Sequence, residues 1–466
     1  MDDEICRRSA TELVAAVRAR RITAAHVMQC HLSRTQRLEP ALNTYVTFDA
    51  EGALRAADAI DRRLAAGEDP GPLAGLPVSV KDLIAVQGMP QTFGSYLFRD
   101  HVPDADAPAV ERLRRAGACI VGKTTTSELG SKAVGHSPLT GFTRNPWDRN
   151  ATAGGSSAGA AAGVSAGLVA AALGTDGGGS IRIPASFCGL VGFKATFGRV
   201  PVWPPSATPS VAHVAPIGRC LQDVALLLDV VSGPDPRDPA STGTAPLAAC
   251  AQLVRPIGGL RVGWITSLGY GQVDPAIAAL CLDAAQRLAS EGATVANIPE
   301  PLFDRDPGEA WNEVFYGAIG RRIRLHAGGD LAALDIDPAL KAVLLQRQAI
   351  PDEQVVLLRA ACAQRVQMAF ERFDVLAMPT TPVTAPPVGT DVPAGHEGRN
   401  PVDWSYFTYP FNLGGHPAVS MPVGFATGGL PAGLQLVGRL GDEHTLLAAA
   451  AAVARTTPFD ASRPLC

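Results

Sequence analysis

Two glycine-rich turns carry the hydroxyls of this chain best placed for acyl chemistry. Both lie in GGSSAGAAAGVSAGLVAAALGTDGGGSIR, from Gly154 to Arg182. Ser156 and Ser157 share the first turn, and Ser180 closes the second, after Gly177, Gly178 and Gly179. Glycines let successive backbone N–H groups converge on a small volume, which is how an oxyanion is held. A serine at the end of such a turn is a candidate nucleophile, and a base must take its proton. The interior of the stretch offers none, because no charge lies between Arg149 and Asp176.

Three readings compete. Gly155-Ser156-Ser157-Ala158-Gly159 fits G-x-S-x-G with Ser157 as nucleophile, an elbow that needs a strand just before it and an acid and a histidine downstream. The preceding RNPWDRNATAG reads as a loop, and His213, His326, His396, His416 and His444 sit in no recognisable context. Gly117 to Thr124, GACIVGKT, fits the phosphate-loop pattern. A phosphate loop is flexible and runs from a strand into a helix, whereas here the variable positions are themselves an apolar strand. The third reading makes Ser180 the nucleophile, with Ser156 and Lys81 as its proton path. Lys81 closes the apolar run LAGLPVSVK, and burial there would lower its pKa toward neutrality. The plain alternative is a strand-end lysine paired with Asp82.

Elements must bring these residues together. Ser9 and Glu12 form a capping box before a helical ELVAAVRARR, and a second amphipathic helix covers 50–66. Strands are predicted at 73–82, 118–122 and 168–173, with a helix at 107–116. Gly155, Gly159, Gly163 and Gly167 recur every four residues, predicting one small helical face, and Pro184 reads as the first residue of a helix. Residues 232–257 read as a long surface loop and 309–373 as helical. Strand, helix and strand follow at 260–265, 275–291 and 293–298. Further strands are predicted at 374–379, 418–423 and 433–438, and a last helix at 443–455. Alternating strands and helices predict an α/β fold.

The composition agrees with a compact enzyme: 466 residues, 47% hydrophobic and 18% charged, can bury a large core. A net charge of −4 without a basic block argues against nucleic acid or an anionic membrane as partner. The nine scattered cysteines, from Cys6 to Cys466, argue for reduced thiols in a cytoplasm. The opening MDDEICRRSATELV has no apolar region of a signal peptide. The uncharged run 150–175 is Ala, Gly and Ser rather than Leu, Ile and Phe, so it reads as a buried helix, not a membrane span.

PVSVKD, GGSSAG and GTDGGGSIRIPASFCGLVGFK, at the spacing of Lys81, Ser156 and Ser180, resemble the signature of the amidase signature family. GFTRNPWD, AMPTTP and PFNLGGHPAVSMPVG extend the resemblance over roughly 5–455, strongest in 73–200. It implies one large α/β domain, 1–466, with a mixed central β-sheet covered by helices on both faces. Within it, 5–72 would be an N-terminal helical region, 73–200 the catalytic core, 225–375 a variable substrate-shaping region and 376–455 a return to the core.

The resemblance further implies that Ser180 attacks an amide carbonyl. Ser156, after a cis peptide bond from Gly155, would relay the proton to a neutral Lys81. The N–H groups of Gly177, Gly178, Gly179 and Ser180 would hold the oxyanion. Ser157 would support the site by hydrogen bonds, while Asp176 and Arg182 would pin the loop. No metal or organic cofactor is implied, the substrate is a small-molecule amide, and a homodimer stays open. The alternative within the family is the glutaminase (A) subunit of a tRNA-dependent amidotransferase, which carries an MDEF-type segment where this chain reads TTTSELGSKAVGHSPL. The chain departs from the common family pattern at Gly177, Ala158 and Ala195, and none of these removes a reacting group. Pocket walls are expected from 130–136 and from Trp311, Phe315 and Tyr316. The absence of a cationic cluster in the sequence leans toward neutral aliphatic or aryl amides.

Overall fold

The computed structural model describes every residue except 1, 242, 244, 329, 461–463, 465 and 466, so Cys466 lies outside the described residues. Its strands begin with β1 (Tyr45–Phe48), β2 (Pro77–Lys81), β3 (Cys119–Thr124) and the two-residue ribbon β4 (His136–Ser137) and β5 (Gly141–Phe142). There follow β6 (Ala171–Asp176), β7 (Val191–Lys194), β8 (His213–Gly218), β9 (Arg261–Trp264) and β10 (Thr294–Asn297). The last three are β11 (Val375–Pro379), β12 (Ala418–Phe425) and β13 (Pro431–Gly438). All but the ribbon form one sheet in the order β1-β3-β2-β6-β8-β7-β12-β13-β11-β9-β10. It mixes parallel pairs (β2 with β3 and β6) and antiparallel ones (β6 with β8, β12 with β13), as expected of the mixed α/β sheet.

Both faces of the sheet are covered. Along β11, Val375 and Ala377 enter a core completed by the helices Pro275–Arg287 and Glu443–Thr456. The alternate residues Leu376 and Met378 enter another core, with the helices Ala318–Ala327 and Asp352–Arg372. That two-sided burial is why the strand reads as a continuous apolar run rather than an alternating one.

Several elements differ from expectation for physical reasons. The strand expected from Leu168 begins at Ala171. The helix after the first serine turn is short, Ala158–Ser165, and holds only Gly159 and Gly163 of the four periodic glycines. A Cβ on Gly159 would sit 2.1 Å from the Thr44 carbonyl, so there the small residue does serve close approach. Gly155 precedes the helix at a cis peptide to Ser156, and Gly167 follows it at φ 70°. Pro184 is the third, not the first, residue of the helix Arg182–Phe187, a position whose N–H is unpaired in any helix. The helical stretch 309–373 breaks between Ala327 and Pro338 and again before Asp352. Three strands of the central sheet, β1, β7 and β8, and the ribbon β4 and β5 carry no clear signal in the sequence. Among the described residues no helix is long and apolar enough to cross a membrane.

Candidate active site

β2 and β6 pair in parallel, with Val80 opposite Leu173, so both end at the same edge of the sheet. Lys81 closes β2, and Thr175 and Asp176 close β6. The Lys81 amine is fully buried and meets three hydroxyls: Ser156 Oγ at 2.6 Å, Thr175 Oγ1 at 2.9 Å and Ser157 Oγ at 3.0 Å. Burial pushes its pKa well below the lysine range, against an upward pull from Asp176. The plain alternative fails, because the Asp82 carboxylate turns to Lys123 on β3, 3.3 Å away, and accepts from Thr92 Oγ1 at 2.5 Å. The same contact disposes of the phosphate-loop reading: Lys123 is buried in a strand and paired.

The second turn is held from outside. Asp176 and Arg182 form a fully buried ion pair, Arg182 Nε donating to Oδ2 at 3.0 Å and Nη2 to Oδ1 at 2.8 Å. Burial works against the ionised Asp176 carboxyl, yet Arg182, the nearby charge of Lys194 and Asn412 hold its pKa far below the usual range. Arg182 reaches on to the Thr408 carbonyl and to Gln435, tying the turn to the C-terminal third of the chain. Trp311 Nε1 donates to the Gly177 carbonyl at 3.0 Å, and Thr408 Oγ1 donates to the Gly178 carbonyl at 2.6 Å. A trans peptide places its N–H opposite its C=O, so fixing the Gly177 carbonyl on Trp311 aims the Gly178 N–H the other way.

One expectation needs correction here. The Gly179 N–H donates to Asp176 Oδ1 at 2.8 Å and is not free to meet an oxyanion. The N–H groups of Gly177, Gly178 and Ser180 have no acceptor among the described residues, so three donors are available instead of four.

Ser156, Thr175, Gly177 and Ser180 border one cavity of about 240 Å³. Phe93, Phe98, Leu129, Trp203 and Phe315 give much of the remaining wall its apolar character. Ser157 does not reach it: the residue is fully buried, and its hydroxyl donates to the Thr175 carbonyl at 3.2 Å. No strand runs directly into the first turn, and none of the five histidines bonds to a site serine, so the elbow reading fails. His213 does border the cavity, yet burial holds its pKa down to about 3 and its Nδ1 lies against the Asp176 and Val211 carbonyls.

Of the expected pocket walls, Phe315 lines the cavity, while Trp311 and Tyr316 are buried behind it. From 130–136 only Gly130 is among the lining residues. Phe315 belongs to a single π-helical turn, Glu313–Gly317, inserted in an otherwise α-helical stretch, and it packs over Gly177. Thr175, Thr408 and Asn412 belong to the site although sequence reasoning does not mark them. Thr175, inside the GTDGGGS run, and Asn412, inside PFNLGGHPAVSMPVG, lie in segments that carry the family resemblance, whereas Thr408 has no local signal.

A buried amine among hydroxyls, beside a glycine turn with free N–H groups and an apolar cavity, is an arrangement suited to acyl transfer. The chain belongs to the amidase family, whose model matches residues 26–447. It is 34% identical to an acylamidase of Rhodococcus erythropolis, over 98% of this chain and 97% of that one. It is 35% identical to the A subunit of the glutamyl-tRNA(Gln) amidotransferase of Acidothermus cellulolyticus, over 93% and 91%. Its fold matches the crystal structure of a bacterial aryl acylamidase of the amidase signature family with a TM-score of 0.90 and 31% identity, over 98% and 99%.

Proposed function

We propose that the chain is a hydrolytic amidase that converts a carboxamide to an acid plus ammonia or an amine through a Ser180 acyl-enzyme. The observation that carries this reading is the Lys81 amine, buried, without a carboxylate partner and 2.6 Å from Ser156 Oγ. The Ser157 proton points to the Thr175 carbonyl, so Ser157 Oγ accepts one Lys81 N–H, and Thr175 Oγ1 accepts the other. A neutral amine has two donors and one lone pair, which leaves the lone pair facing the Ser156 hydroxyl.

Ser156 then takes the Ser180 proton as it passes its own to Lys81, and Ser180 Oγ attacks the carbonyl carbon. The N–H groups of Gly177, Gly178 and Ser180 face the developing oxyanion. The proton returns through Ser156 to the amide nitrogen, the C–N bond breaks, and water deacylates Ser180 by the same path. The similarity to acylamidases supports this reading, and general amidase activity on linear amides is its finer form. We extend it to a cytoplasmic enzyme that acts without nucleic acid, membrane or cofactor, alone or as a homodimer. The divisions at 5–72, 73–200, 225–375 and 376–455 belong to the same proposal, with substrate shaping in the third.

A second reading, the glutaminase component of a tRNA-dependent amidotransferase, is supported by the similarity to the Acidothermus protein. One experiment separates the two: purified chain is assayed alone on a panel of aliphatic and aryl amides, with hydroxylamine added to capture an acyl group as hydroxamate. Turnover by wild type, lost in Ser180→Ala, is expected. Full activity in Ser180→Ala, or turnover only of glutamine and only with partner subunits, would overturn the first reading.

A further inference from the structure

The cavity beside Ser180 has an uneven charge. No aspartate or glutamate is among the residues lining it, and His213 is held neutral by burial. The one arginine among its lining residues is Arg322, an exposed residue of the helix Ala318–Ala327. Two nearby arginines off the wall are paired: Arg321 lies 3.6 Å from Glu313, and Arg347 also pairs with Glu313. The Arg322 side chain has neither an acidic partner nor a hydrogen bond among the described residues.

The helix that carries it is nonetheless held in place. One turn further along the helix, the His326 ring stacks on Phe98 with centroids 4.1 Å apart, and its Nε2 lies 3.0 Å from the Leu97 carbonyl. Phe98 is itself part of the cavity wall. Residues four apart share a helix face, so the contact that seats His326 also holds Arg322 over the cavity. Ile319 and Ile323, both fully buried, anchor the neighbouring face.

We infer that Arg322 is a specificity residue that receives a carboxylate at the far end of the substrate, so the preferred substrates are amides bearing an anionic group beyond an apolar spacer. An unpaired guanidinium is a planar fork of donors suited to a carboxylate, and the aromatic lining of the cavity that Arg322 shares with Ser180 suits an aryl or alkyl spacer. Cationic amides are disfavoured, since no acid lines the cavity to receive them. The sequence-based lean toward neutral amides changes accordingly. Arg322 gives no signal in the chain, where it is one of three arginines in GRRIRLHA. The inference rests on the amidase reading above.

The test uses two substrate pairs. Glutaric acid monoanilide is compared with the anilide in which an isopropyl group replaces the carboxylate, and para-carboxyacetanilide with para-isopropylacetanilide. The readout is the ratio of kcat/KM within each pair, for wild type, Arg322→Leu, Arg322→Lys and Arg322→Glu. Wild type is expected to favour the carboxylate member of at least one pair by about tenfold, carried in KM and narrowing with added salt. Arg322→Leu removes the preference, Arg322→Lys keeps part of it and Arg322→Glu reverses it. Ratios near one in wild type, or a preference that survives Arg322→Leu, overturn the inference and leave the amidase reading intact. If neither these anilides nor the broader amide panel is hydrolysed, the amidase reading itself fails, and this inference with it.

Discussion

Replacing Asp176 by asparagine tests how the second turn is held. The carboxylate accepts from Gly179 N at 2.8 Å, Ile181 N at 3.2 Å, Asn412 Nδ2 at 2.8 Å and the two Arg182 nitrogens at 3.0 and 2.8 Å. An asparagine must turn its NH₂ toward one set of these donors, and it leaves a fully buried guanidinium without a counter-charge. Removing one partner of a buried ion pair costs about 3–5 kcal/mol. An unfolding entropy of about 2.1 cal/mol/K per residue gives about 1 kcal/mol/K for 466 residues, so Tm should fall by about 3–5 °C. Arg182→Met should cost a similar amount. The double variant should be more stable than the sum of the singles implies by about 1–3 kcal/mol, because the second change removes the orphaned charge.

The pH dependence has a definite sign. With its folded pKa held far below the ordinary 3.8, Asp176 contributes its full stabilisation above about pH 4 and loses it as pH falls toward the folded value. The Tm gap between wild type and Asp176→Asn should therefore be constant from pH 8 to about 4 and shrink below. Thermal melts and initial rates on one amide suffice to check this. A variant melting within about 1 °C of wild type, with strictly additive singles, would refute the reasoning.

The other predictions concern the turn glycines, the buried serine and the lysine. A Cβ on Gly178 would lie 2.5 Å from the Trp311 ring, whereas one on Gly177 meets Phe315 at 3.2 Å. Gly178→Ala should lower kcat by about 10²–10³-fold by displacing an oxyanion donor, and Gly177→Ala should stay within about tenfold of wild type; steady-state kinetics decide. Ser157→Ala removes one acceptor of the Lys81 amine and should cost about tenfold in kcat. Because Lys81 is held well below the ordinary 10.5, kcat/KM should rise with pH through its folded pKa and then level. Between that pKa and about 10.5 the unfolded chain holds a proton that the folded protein lacks, so wild type should lose stability as pH falls through this window, and gain it as pH rises, relative to Lys81→Met. A gap independent of pH would count against a neutral lysine.

Much of this site is legible in the sequence because its chemistry is local. Glycine runs announce turns wherever they fall, and a lysine closing an apolar run is anomalous enough to mark. The parts that stay hidden come from far along the chain. Thr408, Asn412 and Gln435 act on the second turn from more than two hundred positions away, and nothing near them in sequence points back to it. Gly179 is misassigned from sequence because a glycine run shows that N–H groups can converge but not which of them a neighbouring carboxylate already takes. Strand β8 escapes notice because Pro216 argues against a central strand. Its β7 pairing covers only Gly218 and Ile217, so Pro216 faces β6 alone and leaves no ladder bond unmade toward β7. Arg322 looks ordinary because an arginine matters here only for what its helix faces.

The central claim is that Ser180, not Ser156 or Ser157, carries the acyl group. Intact-protein mass spectrometry of an acid-quenched reaction, followed by peptide mapping, tests it most directly. The account predicts an adduct of the mass of the acyl group on the peptide containing Ser180, released by hydroxylamine and absent from Ser180→Ala. An adduct on Ser156 or Ser157, or turnover by Ser180→Ala at the wild-type rate, would contradict it.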